Sequence, residues 1–124
     1  MTQQAHGNKP IKVALAGAGA FGIKHLDGIR NIAGVEVVSL VSRDLSKTKE
    51  VADKYGVKHV SIDLADALAL PGVDAVILCT PTQMHAAQAQ ACLKAGKHVQ
   101  VEIPLADSLA DAQAVVAEIG RAHV

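Results

Sequence analysis

The chain has 124 residues, half of them apolar, and its net charge is zero because 12 basic side chains balance 12 acidic ones. This composition predicts one compact globular domain and excludes a disordered or fibrous chain, and the charge balance disfavours a nucleic-acid or membrane-surface partner. No stretch approaches the roughly 18 apolar residues of a membrane span, and the first residues lack the pattern of a secretory signal. We therefore expect a cytoplasmic protein.

Short apolar runs alternate with longer amphipathic segments along the chain. Residues 1–9 are polar and predict a disordered tail, which is followed by a single domain over residues 10–124. Apolar runs of strand length lie at 11–17, 35–42, 58–62, 73–80 and 98–102. Strands that alternate with helices and are apolar nearly throughout predict a parallel sheet covered on both faces, which is a doubly wound α/β fold.

Start and stop residues mark the helices between these strands. Asp44 is a candidate N-cap for a helix that ends at Gly56, since glycine favours the left-handed backbone found there. Pro81 suits the first turn of the next long helix, which Gly96 ends.

The last helix is predicted after Asp107, its candidate N-cap. Its apolar residues are three or four positions apart, and they are Leu109, Ala112, Val116 and Ile119. Gly120 predicts the end of this helix, and GRAHV at the end of the sequence is typical of the entry to a further strand. We therefore expect a domain truncated near the start of a sixth strand.

A glycine-rich turn, GAGAFG, follows the first predicted strand and opens a helix. Gly17, Gly19 and Gly22 match the pattern G-x-G-x-x-G, in which the first glycine allows a tight turn. The second lets a pyrophosphate approach the backbone, and the third lets the helix pack against the strand. Unpaired N–H groups and the helix dipole attract phosphate to this end of the helix. The motif predicts a Rossmann dinucleotide-binding domain, and a purely structural turn is the alternative.

Ser42 and Arg43 stand where many dinucleotide-binding domains carry an acidic residue. Ser42 is 20 residues beyond Gly22, at the end of the second predicted strand, where Asp or Glu would bind the adenine ribose. A hydroxyl and a guanidinium suit the oxygens of a 2′-phosphate instead, so we predict NADP, with NAD as the alternative. There are other interpretations: Arg43 lies in solvent or stacks on adenine, or Asp44 binds the ribose.

Two later strands also end in candidate site residues. Cys79, Thr80 and Pro81 follow the fourth strand, and ligands of open parallel sheets lie outside the carboxyl ends of the strands. His85 is one helical turn beyond Pro81, and a packing role is its alternative. Glu102, at the end of the fifth strand, is either a site residue or a carboxylate bound by a neighbouring amide.

Metal-ligand spacing is absent from the sequence. Cys79 and Cys92 are not spaced as ligands, and no pair of the 6 histidines has zinc spacing. We predict no metal site and expect both cysteines to be reduced and largely buried.

Three segments together carry a resemblance. The GAGAFG turn, the TPTQMH turn and a fifth strand that ends in Glu-x-Pro resemble the N-terminal half of the Gfo/Idh/MocA oxidoreductase family, over about residues 11–123. The resemblance implies the cofactor-binding half of a dehydrogenase, without the C-terminal domain that supplies the catalytic acid or base and most substrate contacts. It implies cofactor contacts by Gly17, Gly19, Ala20, Phe21, Gly22, Ser42, Arg43, Cys79, Thr80, Pro81, His85, Glu102 and Ile103.

The family usually reads Glu-Lys-Pro where this sequence has Glu102, Ile103 and Pro104. The missing lysine disfavours a sugar or polyol substrate. The three segments are similar to the branch of the family that oxidises a carboxylated hydroxymuconic semialdehyde with NADP in bacterial aromatic catabolism. We therefore expect a small-molecule substrate, no nucleic-acid or membrane partner, and a homo-oligomer at full length. A sugar or polyol dehydrogenase and a stand-alone nucleotide-sensing module are the alternatives.

Overall fold

The computed structural model describes residues 9–122, and side chains as far as residue 120. Within that range five strands alternate with five helices, as the sequence predicts. The strands are β1 (Ile11–Ala16), β2 (Val35–Val41), β3 (His59–Ser61), β4 (Ala75–Leu78) and β5 (His98–Val101). The helices are α1 (Ala20–Ile29), α2 (Leu45–Tyr55), α3 (Leu64–Leu68), α4 (Thr82–Lys94) and α5 (Leu109–Ala122). The predicted tail, apart from Lys9, lies outside the described residues.

The five described strands form one parallel sheet in the order β3-β2-β1-β4-β5. Ala16, at the end of the central strand, pairs with Val41 of β2 and with Leu78 of β4, so these three strands end side by side. The chain runs outward from β1 through β2 and β3, and then returns to the other side of β1 as β4. Such a switch point opens a crevice at the carboxyl ends of the strands, where ligands bind in this architecture. The predicted doubly wound Rossmann fold is confirmed.

Two apolar clusters, one on each face of the sheet, form the core. On one face Leu15 of β1, which is fully buried, packs with Leu26 of α1. On the other face Leu78 of β4 packs in a cluster that includes Cys92 of α4 and Val115 of α5. Each fully buried leucine stabilises the fold by roughly 1.5–3 kcal/mol. Packing on both faces therefore fixes the sheet and with it the carboxyl ends of the strands.

Most of the predicted helix ends are confirmed. The Asp44 side chain accepts a hydrogen bond from the N–H of Lys47, and Gly56 ends α2 with φ of 71°. Pro81 directly precedes α4, and Gly96 has φ of 76° two residues beyond the end of that helix. Proline suits the start of a helix because its φ is already helical and it has no N–H to leave unpaired, and glycine suits the end because it adopts positive φ without strain.

The start of α5 differs from the prediction. Ser108, rather than Asp107, caps the helix, because its Oγ accepts a hydrogen bond from the N–H of Asp111 at 3.1 Å. Both residue types are good N-caps, so the sequence alone does not decide between neighbours.

The buried face of α5 also differs. Val115 and Glu118 are buried, whereas Leu109 is 74% and Val116 is 60% exposed. The helix contacts α4, and of the apolar residues at the predicted spacing only Ala112 is half-buried, while the other three are exposed. The buried face of α5 therefore runs through Val115 and Glu118, about one residue position around the helix from Val116 and Ile119.

The predicted helix end at Gly120 is wrong as well. α5 continues through Gly120 to Ala122, over 14 residues, although glycine in a helix costs about 1 kcal/mol relative to alanine. Residues 121–122 are thus helical rather than the entry to a strand, and residues 123–124 lie outside the described range. Among the helices of residues 9–122, none has both the length and the apolar character that crossing a membrane requires.

Candidate cofactor site

Two glycines of the turn after β1 are required by contacts within the protein. Gly17 has φ of 99°, and a Cβ there would lie 2.4 Å from the carbonyl oxygen of Cys79. A Cβ on Gly22 would lie 1.9 Å from the carbonyl oxygen of Gly17. Both distances are shorter than van der Waals contact, so the tight turn and the close packing of α1 each need a glycine.

Gly19 is different because its surroundings are open. Its φ is −82°, which every residue adopts, and among the described residues no heavy atom beyond its chain neighbours and its own helix lies within 4 Å of the Cβ position. The packing of the protein therefore does not explain a glycine at this position. The motif predicts that a pyrophosphate approaches the backbone here, and the open space at the Cβ position agrees with that prediction.

The N-terminus of α1 presents amide groups beside Gly19. The N–H of Ile23 donates to the carbonyl oxygen of Gly19 at 3.0 Å, so the amides of Ala20, Phe21 and Gly22 precede the first bond within the helix. No side chain in residues 9–120 caps this end by a hydrogen bond. These amides and the positive end of the helix dipole fit the charge and size of a phosphate group.

A pocket of about 280 Å³ extends from this turn along the carboxyl ends of β1, β2 and β4. It is lined by Gly17, Ala18, Gly19, Val41, Ser42, Arg43, Ile62, Leu64, Cys79, Thr80, Pro81, Met84 and Gln88. The structure thus brings 7 of the predicted cofactor residues together, namely Gly17, Gly19, Ser42, Arg43, Cys79, Thr80 and Pro81. The other predicted residues, Ala20, Phe21, Gly22, His85, Glu102 and Ile103, lie outside this lining, and all predicted contacts stay predictions.

The side of the pocket at β2 carries the predicted phosphate donors. The N–H of Ser42 donates to the carbonyl oxygen of Ser61 at 3.1 Å, which fixes the backbone there, and the Arg43 side chain is exposed. Asp44 is engaged elsewhere, because its Oδ1 accepts from the N–H of Lys47 at 3.1 Å. Ser42 and Arg43 therefore border the pocket, while the carboxylate of Asp44 caps α2.

Several lining residues are missing from the sequence prediction. Met84 and Gln88 are one turn apart on α4 and follow Pro81 at helical spacing, which is a signal that could have identified them. The Thr80 hydroxyl donates to Gln88 Oε1 and so joins the strand end to α4. Ile62 follows β3, and its place in the pocket depends on the strand order, which local sequence does not show.

His85 has contacts other than the predicted cofactor contact. Its side chain is 1% exposed. Its Nδ1 lies 2.8 Å from the carbonyl oxygen of Pro104, which follows a cis peptide bond, and its Nε2 lies 2.7 Å from that of Thr80. Both ring nitrogens face backbone acceptors, so the ring joins α4 to the segment after β5. This geometry favours the packing alternative, in which His85 shapes the pocket wall without contacting the ligand.

Glu102 contacts a histidine that the sequence analysis does not identify. His25 of α1 places its Nε2 2.9 Å from Glu102 Oε1, and the Cys79 sulfur lies within 4.8 Å of a ring nitrogen of His25 and of a carboxylate oxygen of Glu102. Burial and, to a smaller extent, charge repulsion of the thiolate by the Glu102 carboxylate together raise the pKa of the Cys79 thiol to about 11. Ile103, next in the chain, is 91% exposed.

Amides at a helix N-terminus after a glycine turn, together with a pocket at a switch point of a parallel sheet, are the features of a dinucleotide-binding domain of the kind found in oxidoreductases. Residues 11–124 match the model of the Gfo/Idh/MocA oxidoreductase family, described as an NAD-binding Rossmann fold. The chain belongs to this family, which confirms the resemblance.

Among its relatives, a 4-carboxy-2-hydroxymuconate-6-semialdehyde dehydrogenase from Sphingobium sp. SYK-6 is 69% identical, covering 86% of this chain and 34% of that protein. An inositol 2-dehydrogenase from Rhodococcus erythropolis is 37% identical, and the match covers 88% of this chain and 32% of that protein. The solved structure of GenD2 from gentamicin A biosynthesis, in complex with NAD, is similar with a TM-score of 0.88 at 28% identity, covering 100% of this chain and 35% of that one.

The chain spans about a third of the length of these relatives. It corresponds to the N-terminal, cofactor-binding part of family members, and the C-terminal domain is outside it. The chain is therefore an NAD-binding Rossmann domain of an oxidoreductase family, and the two relatives named above are dehydrogenases.

Proposed function

We propose that this chain is the NADP-binding part of a dehydrogenase that oxidises 4-carboxy-2-hydroxymuconate-6-semialdehyde. Its 69% identity to a protein of that name, over 86% of the chain, carries the proposal. Identity to the inositol dehydrogenase is far lower, at 37%. The exposed Ile103, in the place of the lysine usual in the family, agrees with a substrate other than a sugar.

The proposed reaction takes the semialdehyde in its cyclic hemiacetal form. Oxidation removes a hydride from the hemiacetal carbon and a proton from its hydroxyl, which leaves the lactone 2-pyrone-4,6-dicarboxylate. Bound NADP supplies the hydride acceptor, the nicotinamide C4. This chain would hold the diphosphate at the amides of α1 and orient the cofactor along the pocket, while the base that takes the proton would come from the C-terminal domain. The pathway would be the catabolism of protocatechuate after 4,5-cleavage.

The choice of NADP over NAD rests on Ser42 and Arg43. Both border the pocket at the end of β2, and none of the described carboxylates lines it, so a 2′-phosphate would meet donors rather than a repelling charge. NAD is the second candidate because the similar GenD2 structure holds NAD. A homo-oligomeric full-length enzyme and a cytoplasmic location belong to the same proposal.

Two measurements test this function. Calorimetric titration of the chain with NADPH and NADH should show tighter binding of NADPH; equal affinities would remove the cofactor preference. The natural gene product that contains this chain should oxidise the semialdehyde with NADP and should have little activity on myo-inositol. Oxidation of myo-inositol with no conversion of the semialdehyde would overturn the proposed substrate and leave the cofactor result standing.

A further inference from the structure

Three metal-ligating side chains from separate elements converge beside the cofactor pocket. His25 is on α1, Cys79 follows β4 and Glu102 follows β5. One donor atom of each lies within 4.8 Å of the other two, and the His25 Nε2 to Glu102 Oε1 distance is 2.9 Å. The residues of this cluster, His25, Cys79 and Glu102, lie far apart along the chain, so no metal-binding motif in the sequence predicts it.

The backbone fixes the positions of these residues. The N–H of Cys79 donates to the carbonyl oxygen of Ala16 at 2.7 Å, and the N–H of Glu102 donates to that of Leu78 at 3.0 Å. Each of these bonds continues the sheet by one residue. α1, which carries His25, is held at the turn by the close packing of Gly22. A frame of this kind lowers the entropy that is lost when side chains order around a ligand.

The donor atoms are a nitrogen, a sulfur and an oxygen. This set is typical of Zn²⁺, whereas Mg²⁺ and Ca²⁺ prefer oxygen ligands alone. Three protein ligands with a fourth position open to water are the usual arrangement at zinc sites that are accessible to solvent.

The spacing of the cluster is close to that of a zinc site. Zinc bonds of about 2.0–2.3 Å in a tetrahedron place the ligand atoms about 3.3–3.8 Å apart. Side-chain rotation would bring the three donor atoms, now within 4.8 Å of one another, to this spacing. The side chains of His25 and Glu102 are 24% and 33% exposed, so both have room to rotate and water has access.

We propose that His25, Cys79 and Glu102 together bind one Zn²⁺, with water as the fourth ligand. On binding, the thiol proton leaves to solvent, the neutral His25 imidazole exchanges its Nε2 proton for one on Nδ1, and the metal takes the place of the hydrogen bond between His25 and Glu102. Because Cys79 also lines the cofactor pocket, the ion would lie beside the bound dinucleotide.

The test uses the tag-free chain, stripped of metal and titrated with Zn²⁺ in competition with a chromophoric chelator. We expect one equivalent to bind, and we expect His25→Gln, Cys79→Ser and Glu102→Gln each to weaken binding by about tenfold or more. The matched controls are His98→Gln, an exposed histidine of β5, and Cys92→Ser, the other cysteine; both should retain the affinity. Circular dichroism establishes that each variant is folded.

Co²⁺ provides a second measurement that needs no variant. A sulfur-to-cobalt charge-transfer band in the near ultraviolet should appear when the wild-type chain is titrated, should be lost in Cys79→Ser and should remain in Cys92→Ser. The proposal is overturned if the wild-type chain binds no stoichiometric zinc, if the band is absent, or if folded variants of all three residues bind zinc as the wild-type chain does. None of these outcomes depends on the dehydrogenase function.

Discussion

Gly17 and Cys79 meet so closely at the ends of β1 and β4 that a Cβ on the glycine would lie 2.4 Å from the carbonyl oxygen of Cys79. The contact joins the two strands at the switch point of the sheet, where the pocket begins. Gly19, two residues further on, has open space around its Cβ position. Two glycines of one motif therefore serve different purposes, and substitution should separate them.

The first prediction is that Gly17→Ala destabilises the fold by roughly 2–4 kcal/mol, because a clash with backbone adds to the cost of alanine at positive φ. Urea unfolding measures this change. Gly34→Ala is the matched control, since Gly34 has φ of 86° but no atom of the described residues within 4 Å of its Cβ position, and it should lose only about 1–2 kcal/mol. Equal losses in the two variants would show that the contact with Cys79 has no energetic weight.

The second prediction is that Gly19→Ala keeps the stability of the chain and weakens NADPH binding by about tenfold or more, which is about 1.4 kcal/mol. The added methyl group meets no atom of the described residues other than its chain neighbours, but it would occupy the space that a pyrophosphate needs. Thermal unfolding and calorimetry on the same sample check both parts. An unchanged dissociation constant would place the diphosphate away from this turn.

The third prediction concerns the 2′-phosphate. Arg43→Ala should weaken NADPH binding by about 10- to 150-fold, because a charge-assisted hydrogen bond contributes about 1.5–3 kcal/mol, and it should change NADH binding little. Lys49→Ala, which removes an exposed cation from α2, is the matched control for a general loss of positive charge. A parallel loss for both coenzymes in Arg43→Ala would favour stacking on adenine instead.

The order of elements could be predicted because each strand and helix carries a local signal, such as the cap of Asp44 or the left-handed Gly56. The buried face of α5 could not, since this helix packs along one side and the sequence does not say whether Val115 or Val116 lies in the contact. The buried face of such a helix depends on the element that it packs against, and only the tertiary structure shows that element.

The same distinction applies to the site. The glycine turn is local, so Gly17, Gly19 and Gly22 follow from the sequence, and the end of β2 follows from a fixed distance along the chain. The contact of His25 with Glu102 joins residues 77 positions apart on elements that only the strand order brings together. Likewise, spacing places His85 beside the cofactor path, but its two carbonyl partners are visible only in the folded chain.

The fourth prediction is that His85→Ala costs roughly 2–4 kcal/mol of stability. The change leaves the carbonyl groups of Thr80 and Pro104 without their observed partner and opens a cavity in a buried position. Chemical denaturation measures it, with His98→Ala as the control, because His98 is exposed and its loss should change stability by at most about 0.5 kcal/mol. If His85→Ala kept full stability and abolished NADPH binding, the ring would belong to the ligand site.

The fifth prediction is a loss of stability in alkaline solution that depends on Cys92. Burial raises the pKa of this thiol from 9.0 to about 12, so the folded state disfavours the thiolate that the unfolded chain forms readily. A folded pKa above the unfolded one gives stability that is complete below pH 9 and is lost as the pH rises towards 12. The slope from this thiol is at most about 1.4 kcal/mol per pH unit.

The measurement is the free energy of unfolding in urea between pH 8 and pH 10, under reducing conditions. Other groups titrate at high pH in both proteins, so the comparison is with Cys92→Ala, which lacks the thiol. Alanine lowers the overall stability by opening a small cavity at a buried position, but its curve should fall less steeply above pH 9 than that of the wild-type chain. Parallel curves would contradict the prediction. They would mean that the folded protein accommodates the Cys92 thiolate and that burial does not raise the pKa of this thiol.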